Sequence, residues 1–308
     1  MANPIRIGLV GVGKIARDQH LPVIGAAPDF HLAAVASHQG GYDGVPNYRT
    51  LPEMLAGQSD LDAVALCQPP QARFEAAQAA IEAGLHVILE KPPGATLAEI
   101  GLLVAAARGR GVSLFASWHS RYASGVEPAR RWLAGRRIRA VTIAWKEDVR
   151  HWHPGQDWIW AAGGMGVFDP GINALSIATH ILPPFFLTGA TLSVPENRQA
   201  PIAADLTFTD AAGTPIRAVF DWRQTGPQTW DIRVETEAGP LVLSRGGSVL
   251  TIDGRDQPLP PEAEYRRLYD RFAALIRSGA SDVDLDPLTH VADAFLRGER
   301  RIVEAFAG

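Results

Sequence analysis

An apolar strand, Ile5-Arg6-Ile7-Gly8-Leu9-Val10, runs directly into Gly11-Val12-Gly13-Lys14-Ile15-Ala16, a G-x-G-x-x-A turn that opens a helix. That order leaves few folds open. Gly11 permits a tight turn, Gly13 admits a pyrophosphate close to the backbone, and Ala16 lets the helix lie against the strand, while the exposed N–H groups at the helix start attract negative charge. The chain then repeats the alternation. Strands are expected at 5–10, 31–36, 62–67, 86–90 and 113–117, with helices near 14–26, 51–57, 72–84, 97–110 and 125–134. Parallel strands require such crossovers, so residues 1–120 read as a Rossmann-type, doubly wound α/β domain that binds NAD(P).

After about Ile138 the pattern changes. Val141–Trp145, Ala203–Phe208, Ala218–Trp222, Ile232–Thr236 and Leu241–Leu243 alternate or run apolar between Gly and Pro turns. Residues 121–308 are therefore expected to form an α+β domain with a large open, mainly antiparallel sheet, serving substrate binding and dimerisation. A helix should start at Pro260-Pro261 and run to Ile276. A last amphipathic helix, Thr289 to Phe306, is expected to pack back between the domains. Because the strands carry Trp145, Phe208, Phe220 and Trp222 among few charges, one sheet face is expected to be broad and partly apolar, which predicts a homodimer formed face to face.

Composition narrows the partners. With 29 basic and 33 acidic residues the net charge is -4, giving no electrostatic case for nucleic acid or an anionic membrane surface. No apolar run is long enough to span a bilayer, and the strand beginning at Ile5 leaves no room for an export signal. Cys67 is the single cysteine, so no intrachain disulfide forms and a reducing cytoplasm is the expected compartment. It ends a buried strand and reads as inert packing.

Two further segments carry chemistry. His86-Val87-Ile88-Leu89-Glu90-Lys91-Pro92-Pro93-Gly94 is a buried-type strand that delivers one lysine to a proline-stiffened turn, and Gly163-Gly164-Met165-Gly166-Val167-Phe168-Asp169-Pro170-Gly171-Ile172-Asn173 stands mid-chain. With these and the glycine turn, the chain resembles the glucose-fructose oxidoreductase/inositol dehydrogenase/rhizopine catabolism (Gfo/Idh/MocA) family over nearly its whole length. In that family the lysine of Glu-Lys-Pro and an Asp-x-x-x-His pair line the site where a sugar or polyol hydroxyl meets the nicotinamide. The resemblance puts those roles on Lys91, Asp169 and Asn173. Here the histidine has become an asparagine, which does not exchange a proton near neutral pH.

Cys67-Gln68-Pro69-Pro70-Gln71-Ala72-Arg73, the Glu-Lys-Pro-Pro-Gly form, Trp118-His119 and the aromatic Trp145-to-Trp160 segment are most similar to bacterial aldose 1-dehydrogenases acting on L-arabinose and D-galactose. That likeness implies oxidation of a cyclic aldose at C1 to the aldonolactone. It also implies cofactor contacts from Gly11, Gly13, Lys14, Ile15, Gln68, Pro69, Pro70, Arg73, Glu90, Lys91 and His119.

Hydride leaves C1 only as the anomeric O–H loses its proton, so one group must take that proton and others must orient the oxygen. Lys91 stabilises developing oxyanion charge as an ammonium, or acts as base if burial neutralises it. Asp169 accepts the proton or holds Lys91, with Asn173 as a fixed hydrogen-bond partner. Which of the two carries the proton stays open, and a helix N-cap is the structural alternative for Asp169. Glu147-Asp148-Val149-Arg150-His151-Trp152-His153 crowds charges, imidazoles and an indole together. An indole packs on the apolar face of a pyranose, so Glu147, Trp152 and His153 are candidate sugar contacts, with Trp230 behind them. His119, at a strand end, faces cofactor or substrate. The histidines at 151 and 153 suggest no third ligand, and no metal is expected.

The second strand ends at Ser37-His38-Gln39, where an NAD-specific protein places an acid on the ribose hydroxyls. Ser37 and His38 instead donate to a 2′-phosphate without repelling it. NADP is the expected cofactor, with NAD also usable, although no arginine stands beside them. Alternatives to the aldose reading are a polyol or inositol-type dehydrogenase and a catalytically silent NAD(P)-sensing regulator.

Overall fold

The computed structural model describes residues 3–307. The chain forms two units, one built from the residues up to His119 together with Glu264–Asp284, the other from Ser120–Ala263 and the residues from Leu285 onward. In the first unit, β1 (Ile5–Val10) is followed by a π-helical turn (Ala16–His20) and α1 (Leu21–Ala26), then β2 (Phe30–Ala36), β3 (Asn47–Tyr48), α2 (Leu51–Gly57), β4 (Ala63–Leu66), α3 (Arg73–Glu82), β5 (His86–Glu90), α4 (Leu97–Arg110) and β6 (Leu114–Ser117). The strands pair in parallel in the order β3-β2-β1-β4-β5-β6. Strand order reverses between β1 and β4, and the crevice beyond their carboxyl ends is where this topology takes a dinucleotide. Both sheet faces are covered, which is why these strands read as near-continuous apolar runs: Ile7, Leu9, Val64, Leu66, Val87 and Leu89 are fully buried.

The second unit contains α5 (Val126–Leu133), β7 (Ile138–Lys146), α6 (Val149–Trp152), α7 (Phe168–Ile181), β8 (Phe185–Pro195), β9 (Ala203–Asp210), β10 (Pro215–Asp221), β11 (Thr229–Thr236), β12 (Gly239–Ser244), β13 (Val249–Ile252) and β14 (Arg255–Asp256). The chain then returns to the first unit as α8 (Glu264–Ser278), and comes back to the second as α9 (Asp286–Arg297) and β15 (Glu299–Val303). The sheet runs β14-β13-β12-β11-β7-β10-β9-β8-β15. It is mainly antiparallel, with parallel pairs at β7/β10 and β8/β15.

Three expectations are corrected by this architecture. Helix α8 does not belong with the second domain: its apolar stripe of Tyr265, Leu268, Tyr269 and Phe272 is buried in the first unit, where Phe272 stacks on Phe30 and Phe115. The last helix does not reach Phe306. It stops at Gly298, whose backbone is extended, and the following residues gain main-chain bonds along the edge of β8, while α9 packs on α7 and β8 of its own unit. The aromatic face of the sheet is not the open one. Trp145, Phe208, Phe220 and Trp222 are all buried, on the side that carries α7, and the opposite face presents Thr142, Asp205, Thr207, Arg217 and Arg233.

Candidate active site

In the first unit the glycine turn has the geometry its sequence asks for. Gly11 sits at φ +92, and a Cβ there would meet the Gln68 backbone nitrogen at 2.9 Å, so only glycine lets β1 and β4 approach this closely. A Cβ on Gly13 would meet nothing within 4 Å, which leaves the backbone approachable from outside. Gln68 lies beside the turn, its buried Oε1 without a hydrogen-bond partner, as a group that fits an added cofactor atom. Ile15 is half-buried, and Lys14 lies on the surface paired with Asp18. Pro69 is exposed and Pro70 buried at the start of a short 3-10 turn.

At the end of β2, Ser37 is half-buried and His38 and Gln39 are exposed, with the Ser37 hydroxyl accepting from the Gln39 N–H at 3.1 Å. An arginine from elsewhere in the chain reaches the loop after β2. Arg17, in the turn of helix after the glycines, reaches across and donates to the Gly41 carbonyl at 3.0 Å. Its distance in sequence from Ser37 hid it.

Lys91 follows β5 in a backbone held from several sides. The buried Arg73 guanidinium donates to the carbonyls of Glu90 and Pro92, on either side of the lysine, and to that of Gln68. Arg73, an expected cofactor contact, is buried with its Nη1 and Nη2 groups on the main chain and its Nε without a partner, and burial lowers its pKa to about 10. Glu90 is the neighbouring expected cofactor contact. It is buried, and its Oε2 accepts the Lys91 N–H at 2.5 Å while Oε1 takes the Tyr265 hydroxyl at 2.7 Å and lies 3.3 Å from His20 Nε2. Burial pushes the Glu90 pKa up, but the hydrogen bond and charge of His20, with His119 and Tyr265 behind them, hold it down at about 2. For His20 burial works against charge, yet the Cys67 sulfur, the Tyr269 hydroxyl at 2.7 Å from Nδ1 and Glu90 raise its pKa well above the usual imidazole range. Cys67, just past β4, is half-buried in this cluster rather than packed in a strand. His119 bonds Glu264 through Nδ1 at 2.7 Å and stacks on Tyr265.

In the second unit three neighbouring strands, β11, β7 and β10, bring Trp230, Glu147 and Trp222 to one end of the sheet. Glu147 is buried because both its oxygens are used there: Oε1 accepts Trp222 Nε1 at 3.2 Å and Oε2 accepts Trp230 Nε1 at 2.9 Å. Hydrogen bonds to a charged group contribute about 1.5–3 kcal/mol each, enough to offset much of the cost of burying it. The carboxylate thus fixes two indoles as well as standing among the candidate sugar contacts. Trp152, half-exposed, lies on Trp230 with ring centroids 5.2 Å apart.

His153 Nε2 lies 3.8 Å from Glu147 Oε1 and 3.5 Å from Asp169 Oδ2. His151 instead sets its ring edge-on to Trp152, so the two histidines do not act as a pair. Asp169 is the second residue of α7, whose N-cap position is Val167 without a side-chain capping bond. The capping alternative is thereby overturned. Asn173 stands one turn later, on the same helix face, and is half-buried. Gly171 between them lets this turn lie on the sheet, since a Cβ there would meet Phe220 at 2.6 Å.

Comparisons place this architecture. A family model described as an oxidoreductase family with an NAD-binding Rossmann fold matches residues 5–117. Galactose 1-dehydrogenase of Pseudomonas fluorescens is 48% identical over 99% of this chain and 99% of its own length. A D-galactose-1-dehydrogenase structure from Rhizobium etli superimposes with a TM-score of 0.97 at 61% identity, covering 100% of this chain and 99% of the other. A 3-ketoreductase from Actinomadura kijaniata in complex with NADP and TDP-benzene shares the fold at a TM-score of 0.82 and 20% identity, over 99% and 100% of the two chains.

Proposed function

Because this chain belongs to the Gfo/Idh/MocA family of NAD(P)-dependent oxidoreductases acting on CH–OH groups, we propose that it is a sugar 1-dehydrogenase that oxidises the anomeric hydroxyl of D-galactose or L-arabinose to the aldonolactone, with NADP as the preferred cofactor. The observation that carries the sugar reading is the grouping of Asp169, His153 and Asn173 with the accessible indoles of Trp152 and Trp230 at one end of the second sheet. Polar groups there suit hydroxyls and the indole faces suit the C–H face of a pyranose. A nicotinamide held by the first unit would supply the acceptor for the hydride leaving C1. Gly11, Gly13, Lys14, Ile15, Gln68, Pro69, Pro70 and His119 are the residues proposed to hold the cofactor. Lys91 and Asp169 are proposed to act on the departing proton, with Asn173 orienting the hydroxyl. An absorbance assay at 340 nm over D-galactose, L-arabinose, D-xylose, D-glucose and myo-inositol with each cofactor tests the reading. Turnover of myo-inositol alone would favour the polyol alternative, and cofactor binding without any turnover the silent regulator.

Cofactor preference rests on Ser37, His38 and Arg17 around the end of β2. A charge-assisted bond to a phosphate contributes about 1.5–3 kcal/mol, or roughly 10- to 150-fold in binding. Arg17→Gln is therefore expected to weaken binding of 2′,5′-ADP at least tenfold while leaving 5′-AMP within twofold. Ser37→Asp should lower the ratio of kcat/KM for NADP over NAD by a similar factor. Unchanged ratios in both variants would overturn this assignment.

Among the described residues no helix is long and apolar enough to cross a membrane, and the single cysteine supports a cytoplasmic location. The homodimer stays a proposal on new grounds. The open sheet face is polar, with an Arg217–Asp205 pair that a two-fold copy can complement. Light scattering should give about twice the 33.1 kDa of one chain, and a mass near 33.1 kDa refutes the dimer.

A further inference from the structure

The first unit holds a buried polar cluster that neither the glycine turn nor the reacting hydroxyl explains. His20 closes the π-helical segment directly after the cofactor turn, and Glu90 immediately precedes Lys91. Tyr265 and Tyr269 come from α8, about 175 residues further along the chain from Glu90. All four are buried, and they are joined by hydrogen bonds: Tyr269 to His20, His20 and Tyr265 to Glu90, and Glu90 to the Lys91 N–H.

Stability alone would not call for this arrangement. A buried ion pair is often no more stabilising than apolar residues of the same volume, whereas removing one member leaves an uncompensated charge. What a carboxylate offers that an apolar group cannot is a directed acceptor. Here that acceptor is aimed at the peptide nitrogen of the one lysine assigned to the chemistry. Arg73 clamps the carbonyls on either side of the same residue. A reacting group must be held to a fraction of an ångström, and that precision comes from the residues supporting it.

We propose that His20, Tyr265 and Tyr269 are positioning residues for Lys91, acting through the Glu90 carboxylate, so that the helix after the cofactor turn and the returning helix α8 jointly fix the lysine. The inference rests on Lys91 acting at the reacting hydroxyl. It makes Glu90 a relay of position: if the carboxylate loses its neighbours it rotates, and the Lys91 peptide loses its anchor.

The test has one readout that needs no turnover. The chain contains three lysines, Lys14, Lys91 and Lys146, so reductive methylation with ¹³C-formaldehyde gives a simple NMR spectrum in which the Lys91 signal is the one missing from Lys91→Arg. His20→Gln, Glu90→Gln and Tyr265→Phe are compared with Leu103→Ala, a buried apolar change in α4 of the same unit that lowers stability without touching the cluster. The expected result is a shifted Lys91 resonance in the three cluster variants and an unshifted one in Leu103→Ala. In kinetics, kcat should fall about tenfold or more in His20→Gln and Glu90→Gln, with the NADP dissociation constant held within twofold. The double variant should be no worse than about twofold below the poorer single one, since both act through one carboxylate.

An unmoved resonance, or losses that multiply in the double variant, would overturn the proposal. If the His20 and Glu90 variants do not fold, Tyr265→Phe decides alone, because it keeps the ring and removes only the hydroxyl bonded to Glu90. A wild-type protein inactive on every sugar would sink the dehydrogenase reading, and the NMR comparison would still judge the positioning.

Discussion

Lys91→Ala is expected to lower kcat for aldose oxidation by about a thousandfold while the NADP dissociation constant changes less than threefold. Positioned proton-transfer and oxyanion-stabilising groups contribute roughly 10²- to 10⁴-fold, and a lysine at the reacting oxygen combines both possibilities. The proposed phosphate site, by contrast, is the Gly11–Ala16 turn with the residues around β2, none of which the substitution touches. Stopped-flow reduction of NADP separates the chemical step from product release, and equilibrium fluorescence titration gives the binding constant. A variant with near-wild-type kcat would remove the lysine from the mechanism. A variant that loses cofactor affinity in proportion to rate would make Lys91 a binding residue.

Asp169→Asn is expected to cost about a hundredfold in kcat. The substitution keeps shape and removes charge, so it tests whether the carboxylate works on the proton. A few-fold loss would leave Asp169 only an orienting role, most directly toward His153 at 3.5 Å. Thermal stability should change little in either outcome, because the N-cap of α7 is Val167 and the helix start does not rely on this side chain. A large drop in Tm with retained kcat would contradict the assignment.

The first sheet was legible because parallel strands buried on both faces write themselves as apolar runs, and the glycine turn announces where they begin. The second sheet was legible only in part. Strand β8 went unseen since it follows two prolines and carries Gly189 at an irregular register step, and β15 hid in a segment whose Glu299-Arg300-Arg301 looked like more helix. Aromatic residues on alternate positions of β7, β9 and β10 correctly share a face, but alternation cannot say which face is covered.

Around the candidate site, Lys91, Asp169, Glu147 and His153 were marked by local patterns. His20 was not. A histidine among polar residues in a helix reads as surface, and its partner Tyr269 lies 249 positions away. The burial of Arg73 was hidden for the same reason, since nothing in sequence shows a guanidinium turned inward onto three carbonyls.

The return of α8 to the first unit governs how this protein is made and cut. A ribosome has released His119 long before it reaches Asp284, about 165 residues later. At 5–20 residues per second that delay is roughly ten to thirty seconds. During it the nascent nucleotide sheet lacks the helix that covers Phe30 and Phe115 and partners Glu90, so the emerging half is exposed to aggregation and to chaperones until translation is nearly complete. A fragment ending near residue 120 inherits that defect permanently. Anyone grafting this nucleotide-binding half onto another substrate domain must transplant Glu264–Asp284 with it.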